Sequence, residues 1–286
     1  MGNLLYSALH DSPWDKAYVA ARTGDLAKLT RQTDSDDTGW SHTADEYNET
    51  IIHGAARGGH RHVCEYLLAR GSPHSPRLLT GETPAQIAEK CGHHELAAWL
   101  HRTQPAVLFL DIDGVLNSRA SRSKGCDGED GDAAAGGRPR KSHLPTEAAL
   151  ACLQRIDREA GPLRIILSST WRLDDAPRAA VEQALHTIGL TLAGSTPDLE
   201  SRAVGDRVDE IEWVLRYSGE DLPWVVLDDL DLVAMNPGKL SHKNFVRTDD
   251  AVGLTTENSD HAITKLRAQR NALRKPTNKK NEISYA

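Results

Sequence analysis

The chain has 286 residues, a length that predicts two compact units rather than one. Hydrophobic residues make up 39% and charged residues 26%, which excludes wholesale disorder, and a formal net charge of -7 gives no global attraction for nucleic acid, so a polyanion would need a local basic patch. Cys64, Cys91, Cys126 and Cys152 stand far apart without a Cys-x-x-Cys pair, which argues against a zinc site or disulfide framework and for a reducing compartment, the cytoplasm or alternatively the nucleus. Since no apolar run approaches the roughly 18 residues that span a bilayer, a soluble protein with no membrane partner is expected.

In chain order, the first feature is an internal repeat. Thr50-Ile-Ile-His-Gly-Ala-Ala-Arg-Gly-Gly-His60 aligns with Thr83-Pro-Ala-Gln-Ile-Ala-Glu-Lys-Cys-Gly-His93, so that Ala55 falls on Ala88, Gly59 on Gly92, His60 on His93 and, further along, Leu67 on Leu100. The offset is about 33 residues. An earlier copy, Ala20-Ala21-Arg22-Thr23-Gly24-Asp25-Leu26, precedes the second by slightly more, the extra residues falling in the acidic stretch Asp34 to Asp37. The stretch from about residue 12 to 103 resembles an ankyrin-repeat array. That resemblance implies an all-α unit over residues 1–104, with about three repeats of paired helices that bind an unidentified protein partner. His53, His60 and His93 are expected to hydrogen-bond turn backbone rather than hold a metal.

Past His101-Arg-Thr-Gln-Pro105 the pattern changes. Apolar runs at Ala106–Leu110, Leu163–Leu167 and Trp224–Leu227 alternate with apolar residues at helical spacing: Leu150, Leu153 and Ile156, then Val181, Leu185 and Ile188, then Ile211, Val214 and Leu215. This is α/β patterning, and it predicts a parallel sheet over residues 105–256 with helices on both faces. Open α/β sheets place ligands beyond the carboxyl ends of their strands. The residues there are Asp111-Ile-Asp113-Gly-Val-Leu-Asn117, Ser168-Ser-Thr-Trp-Arg172 and Asp228-Asp229. Carboxylates from two strands suit a hard cation such as Mg²⁺, and one of them can attack phosphorus while a neighbouring acid serves the leaving oxygen. Asp111 and Asp113, two apart in an extended segment, have the spacing to face one pocket, and Gly114 permits a sharp exit from the strand.

In order and strand context these segments resemble the haloacid dehalogenase (HAD) superfamily, a three-layer α/β fold. Leu108-Phe-Leu-Asp-Ile-Asp-Gly-Val-Leu116 is similar to its first motif, Leu167-Ser168 to its second and Val226-Leu-Asp-Asp229 to its fourth. The resemblance implies a phosphatase with Asp111 as nucleophile and Mg²⁺ ligand and Asp113 as general acid/base that lends the metal its backbone carbonyl. Asp228 is the further ligand, and Asp229 is an alternative or outer ligand. Ser168 would bind the phosphoryl group, with Ser169 as the alternative. The cation of the third motif is Arg207, which opens a predicted helix, or else Arg202.

The stretch from Val107 to about Thr255 more narrowly resembles the HAD domain of Swiss Army Knife RNA-repair proteins, through these same segments together with Arg207-Val-Asp-Glu-Ile211 and Thr248-Asp-Asp-Ala-Val-Gly-Leu-Thr255. Residues 119–141, rich in Gly, Ala and charge, read as a flexible flap in place of a large cap, leaving a site open to macromolecules such as nucleic-acid ends. Its borders carry Arg119, Arg122 and Lys124 on one side and Arg138, Arg140 and Lys141 on the other, a rim suited to phosphates. Trp171 and Arg172 are expected to add stacking and charge against substrate. Residues 257–286 read as a basic surface helix followed by a polar tail. Two alternatives stand beside this reading: a small-molecule or nucleotide phosphatase, and a catalytically silent ankyrin–HAD interaction protein.

Overall fold

The computed structural model describes residues 12–34, 43–123, 144–199 and 206–274. The flap residues Lys124, Cys126, Arg138, Arg140 and Lys141, the candidate cation Arg202 and the tail from Lys275 lie outside the described residues. The chain divides into two compact units, one built mainly from residues up to Gln104 and the other from Pro105–Ser218 and Leu222–Ala272.

The described part of the first unit is helical: α1 (Pro13–Thr23), α2 (Leu26–Asp34), α3 (Ile51–Gly58), α4 (Arg61–Ala69), α5 (Pro84–Lys90) and α6 (His94–Thr103). Each odd-numbered helix starts from a hydroxyl residue in a capping box. Ser12 pairs with Asp15, Thr83 with Gln86 and Thr50 with His53, so that His53 fills the position usually held by Glu or Gln. His53 Nδ1 accepts from the Thr50 N–H at 3.1 Å, while Nε2 lies 3.2 Å from the Pro76 carbonyl. Burial lowers the His53 pKa to about 4, which keeps the ring neutral and suited to accepting on one side and donating on the other.

A second device recurs along the unit. Gly24 and Gly59 end α1 and α3 in the left-handed region, and a Cβ at either would meet the ring of His60 at 2.6 Å or of His93 at 2.5 Å. Those rings reach the carbonyls of Arg22 (3.1 Å) and Arg57 (3.2 Å), satisfying helix ends that would otherwise lack partners. Alanines at Ala20, Ala21, Ala55, Ala56 and Ala88 are buried with Leu29, Leu67 and Leu100, so the small residues lie where helices meet.

The second unit is built on β1 (Ala106–Leu110), β2 (Leu163–Leu167), β3 (Leu192–Ser195), β4 (Trp224–Asp228) and β5 (Phe245–Arg247). Every pairing is parallel, in the order β3-β2-β1-β4-β5. Alternate residues of the strands feed two cores. Leu108, Leu110, Ile165, Leu167, Val225 and Leu227 face one cluster, while Val107, Phe109, Ile166 and Val226 face another, as the two-residue period of a strand requires. Leu150, Leu153 and Ile156 of α8 (Glu147–Ala160) pack on the first face with Val181 and Leu185 of α9 (Asp175–Thr187). Val208 and Ile211 of α10 (Asp206–Tyr217) pack on the second. Three shorter helical pieces complete the described unit before its last helix: α7 (Arg119–Ser123), a 3₁₀ turn (Thr170–Leu173) and α11 (Leu232–Met235).

The last helix, α12 (Thr256–Arg274), departs from the sequence expectation. Ala262, Ile263 and Leu266 are part of the first core cluster, and two of its arginines serve the backbone. Arg267 donates to the Glu159 carbonyl at 2.8 Å and buried Arg270 to the Ala160 carbonyl at 2.8 Å, so both close the C-terminus of α8. These basic residues are committed to the fold, whereas composition alone made them a free polar face. Among the described residues no helix is long and apolar enough to cross a membrane.

Candidate active site

The chain runs β1→β2→β3 toward one edge of the sheet and then returns to β4 and β5 on the other side of β1. The carboxyl ends of β1 and β4 therefore flank a topological switch point, where an open α/β sheet leaves a crevice. Asp111 follows β1 directly, Asp228 ends β4 and Asp229 comes next. Carboxylate oxygens of these three residues lie within 4.8 Å of one another. Asp111 and Asp228 are buried and Asp229 is half-buried.

Arg207, in the first turn of α10, reaches this cluster. Its Nη1 is 3.0 Å from Asp111 Oδ2 and also donates to Asp228 Oδ2. The other Asp228 oxygen accepts from the Leu230 N–H at 2.9 Å. One guanidinium thus faces three carboxylates, leaving net negative charge in a poorly solvated place, where a hard divalent cation finds both the oxygen donors and the charge it needs. The donor set fits Mg²⁺, with Asp111, Asp228 and Asp229 as the residues that would hold it. Burial first, and the neighbouring Asp111 charge second, push the Asp228 pKa up to about 7, and burial raises Asp229 as well.

A carboxyl whose pKa is higher folded than unfolded supports stability fully below its unfolded value, near 3.8, and loses that support as pH rises through its folded value, near 7. Metal-free protein is therefore expected to melt at lower temperature as pH rises from about 4 to 8 on account of this site. Mg²⁺ is expected to raise the melting temperature, and more at pH 8 than at pH 6, because it competes with the Asp228 proton. Scans at several pH values with and without Mg²⁺ check both directions.

Asp113 is not one of these three clustered carboxylates, and its own carboxylate has two side-chain partners. Oδ2 accepts from the Trp171 indole N–H at 2.8 Å and Oδ1 from the Asn117 amide at 3.0 Å. Directly after Asp113, Gly114 has a φ of 76°, and a Cβ there would lie 2.6 Å from Asp229 Cγ. Gly114→Ala is therefore expected to destabilise the protein by about 1–3 kcal/mol and to weaken Mg²⁺ binding by about 10–100-fold through displacement of Asp229. Thermal melts and a calorimetric Mg²⁺ titration measure the two effects.

Ser168 follows β2, fully buried, and its Oγ has no hydrogen-bond partner among the described residues. Ser169 is placed differently, its Oγ accepting at 3.5 Å from the Trp171 N–H at the start of the 3₁₀ turn. Of the two serines, Ser168 has the hydroxyl without a partner among the described residues.

The structure corrects the expectation that Arg172 and Trp171 present charge and a stacking face to substrate. The Arg172 side chain is 7% exposed and pairs at 2.6 Å with Glu210, itself 5% exposed. Its remaining donors go to the carbonyls of Ser169, Thr196 and Pro197 at 3.0, 3.1 and 3.3 Å. Trp171 is buried in the core beside β2. Both side chains are consumed in holding the loops that carry Ser168 and Asp113.

Contacts from a segment far along the chain support the site. Thr248 donates through Oγ1 to the Gly114 carbonyl at 2.8 Å, the Leu254 N–H to the Val115 carbonyl at 2.8 Å and the Arg119 N–H to the Asp250 carbonyl at 2.7 Å. The Thr248–Thr255 segment therefore seats the loop after β1. The family resemblance marked this segment, but its polar, Gly-containing composition, which any turn can have, did not say what it supports.

The family model described as the HAD domain in Swiss Army Knife RNA repair proteins matches residues 107–259, more than half of the chain. The chain is also 40% identical over 60 residues to diacylglycerol kinase zeta of Rattus norvegicus, a stretch that is 21% of this chain and 6% of the kinase. With the parallel sheet and the acidic cluster at its switch point, the family match is decisive: the chain belongs to the HAD domain family found in Swiss Army Knife RNA repair proteins, and its broad class is that of HAD-type hydrolases.

Proposed function

We propose that the second unit is a Mg²⁺-dependent phosphatase that hydrolyses phosphomonoesters through an aspartyl-phosphate on Asp111. The observation that carries this reading is the convergence of Asp111, Asp228 and Asp229 with Arg207 at the switch point, where family membership leads one to seek the reacting groups. In the first step an Asp111 oxygen bonds to phosphorus as the bond to the leaving oxygen breaks, and protonated Asp113 gives that oxygen its proton. The products are the aspartyl-phosphate, a free hydroxyl compound and ionised Asp113. In the second step water attacks the same phosphorus and gives up a proton to Asp113; inorganic phosphate leaves and the Asp111 carboxylate is restored. Arg207 offsets negative charge beside the transferring group, and the Ser168 hydroxyl donates to it. Mg²⁺, when bound, supplies further charge neutralisation.

The preferred substrates in this reading are phosphorylated nucleic-acid ends. The family description supports that choice. The first unit is read as an ankyrin array of about three repeats that binds a protein partner, supported by paired helices at the repeat offset and by the recurring Gly–His device.

The test is phosphate release with Mg²⁺ or with EDTA, from an aryl phosphate and from 5′- and 3′-phosphorylated oligonucleotides. EDTA is expected to lower release on the order of 10³-fold, with oligonucleotide ends the better substrates. Activity on small phosphates alone would replace the substrate class, and no release from any substrate would favour an interaction protein with a silent HAD domain.

A further inference from the structure

The acid/base assigned to Asp113 must face the leaving oxygen in both steps, and a free aspartate has two torsions with which to turn away. We propose that Trp171 and Asn117 are positioning residues that fix this carboxyl group, one on each oxygen, and that the clamp is what allows Asp113 to assist poor leaving groups. The inference rests on the phosphatase reading above.

The geometry is specific. The Trp171 indole N–H reaches Oδ2 at 2.8 Å and the Asn117 amide N–H reaches Oδ1 at 3.0 Å. Both partners are themselves fixed. The Asn117 side-chain oxygen lies 3.3 Å from the Gly114 N–H, which orients the amide with its NH₂ toward Asp113, and Asn117 is buried. Trp171 sits in the core cluster on the 3₁₀ turn that follows Ser168 and Ser169, so the loop that brings Ser168 to the site also delivers the indole. The indole N–H can only donate, and the Asn117 oxygen is turned toward Gly114. Both contacts are donors, so neither competes with the leaving oxygen for a proton carried by Asp113. The same geometry receives a proton from water in the second step.

Trp171→Phe deletes the donor while keeping an aromatic ring in the core; Asn117→Ala deletes the other. Leaving-group assistance gives a readout that simple loosening of the fold would not give. A nitrophenyl phosphate expels a stable anion and needs little protonation, whereas an alkyl phosphate expels an alkoxide and depends on it. With full-length protein and saturating Mg²⁺, Trp171→Phe is expected to lower kcat for an alkyl phosphate about 10–100-fold and for the nitrophenyl ester less than about 3-fold, with KM unchanged for both. Asn117→Ala should show the same asymmetry.

Equal losses on the two esters, or none on either, would overturn the clamp and leave Trp171 as packing. If wild-type protein releases no phosphate, or Asp111→Asn releases as much as wild type, the phosphatase reading fails and takes the clamp's catalytic role with it. A second measurement, on the native chain, does not depend on activity. The Trp171 indole N–H is expected to exchange slowly with deuterium, and about tenfold or more faster in Asp113→Ala; unchanged exchange would mean that no such hydrogen bond exists.

Discussion

Asp111→Asn is expected to cut phosphate release on the order of 10⁴-fold or more while leaving the fold intact. Asparagine has nearly the same shape as aspartate, but its amide is a far poorer nucleophile, so the covalent route through this residue closes. The charge change is tolerable for a structural reason. Asp111 is one of three clustered carboxylates, and its charge is among the causes that raise the pKa of Asp228. Removing it relieves that repulsion, and Arg207 keeps its contact with Asp228. The melting temperature should therefore stay within a few degrees of wild type, and Mg²⁺ binding should weaken rather than vanish, because Asp228 and Asp229 remain. Phosphate release at saturating Mg²⁺, with a melt of the same preparation, checks both halves. Residual activity within tenfold of wild type would exclude Asp111 as nucleophile.

Arg172→Ala is expected to cost about 3–5 kcal/mol of stability, which lowers the melting temperature by about 10 °C for a unit of this size. Arg172 and Glu210 are both nearly inaccessible. Removing the guanidinium leaves a buried carboxylate with Thr196 Oγ1 at 3.0 Å as its remaining described side-chain hydrogen bond, and takes the guanidinium's bonds from the carbonyls of Thr196, Pro197 and Ser169, of which Ser169 keeps the one from the residue 172 N–H. The large effect comes from the stranded charge rather than from the value of the pair. Accordingly, Arg172→Met combined with Glu210→Leu should recover most of the loss. Arg178→Ala is the control: it breaks an exposed pair with Glu182 one helical turn away, worth about 0.3–0.5 kcal/mol. If Arg172→Ala melts no lower than Arg178→Ala, the pair does not hold the loops. Catalysis should fall with stability, since those loops carry Ser168 and the helix that bears Arg207.

The three central strands were legible because each is mostly apolar and largely buried, and a fully buried run such as Ala106–Leu110 has few other ways to fold. The helices between them followed from apolar spacing. β3 and β5 were not legible. Leu192-Ala-Gly-Ser195 is a half-exposed edge strand with a glycine and a serine, and Phe245–Arg247 is three residues long. Neither carries enough apolar pattern to stand out, and both exist because a neighbouring strand offers its edge.

The same division runs through the site. By itself, the sequence determined that acidic residues would stand at the ends of two strands, since the strand runs, the residues after them and the preference of open sheets for binding at that edge are all local or general facts; that these two strands are neighbours came from the fold. It also determined which residue types were there to perform the chemistry. Only the tertiary structure decided how they are employed: Arg207 between Asp111 and Asp228, Asp113 held by Trp171 and Asn117, Arg172 withdrawn into a pair with Glu210, and Arg267 and Arg270 spent on the end of α8. The physical reason is that a charged or hydrogen-bonding side chain takes its role from the partner it meets. Those partners lie between 21 and 110 residues away for all but Asn117, at distances in sequence that no local pattern encodes.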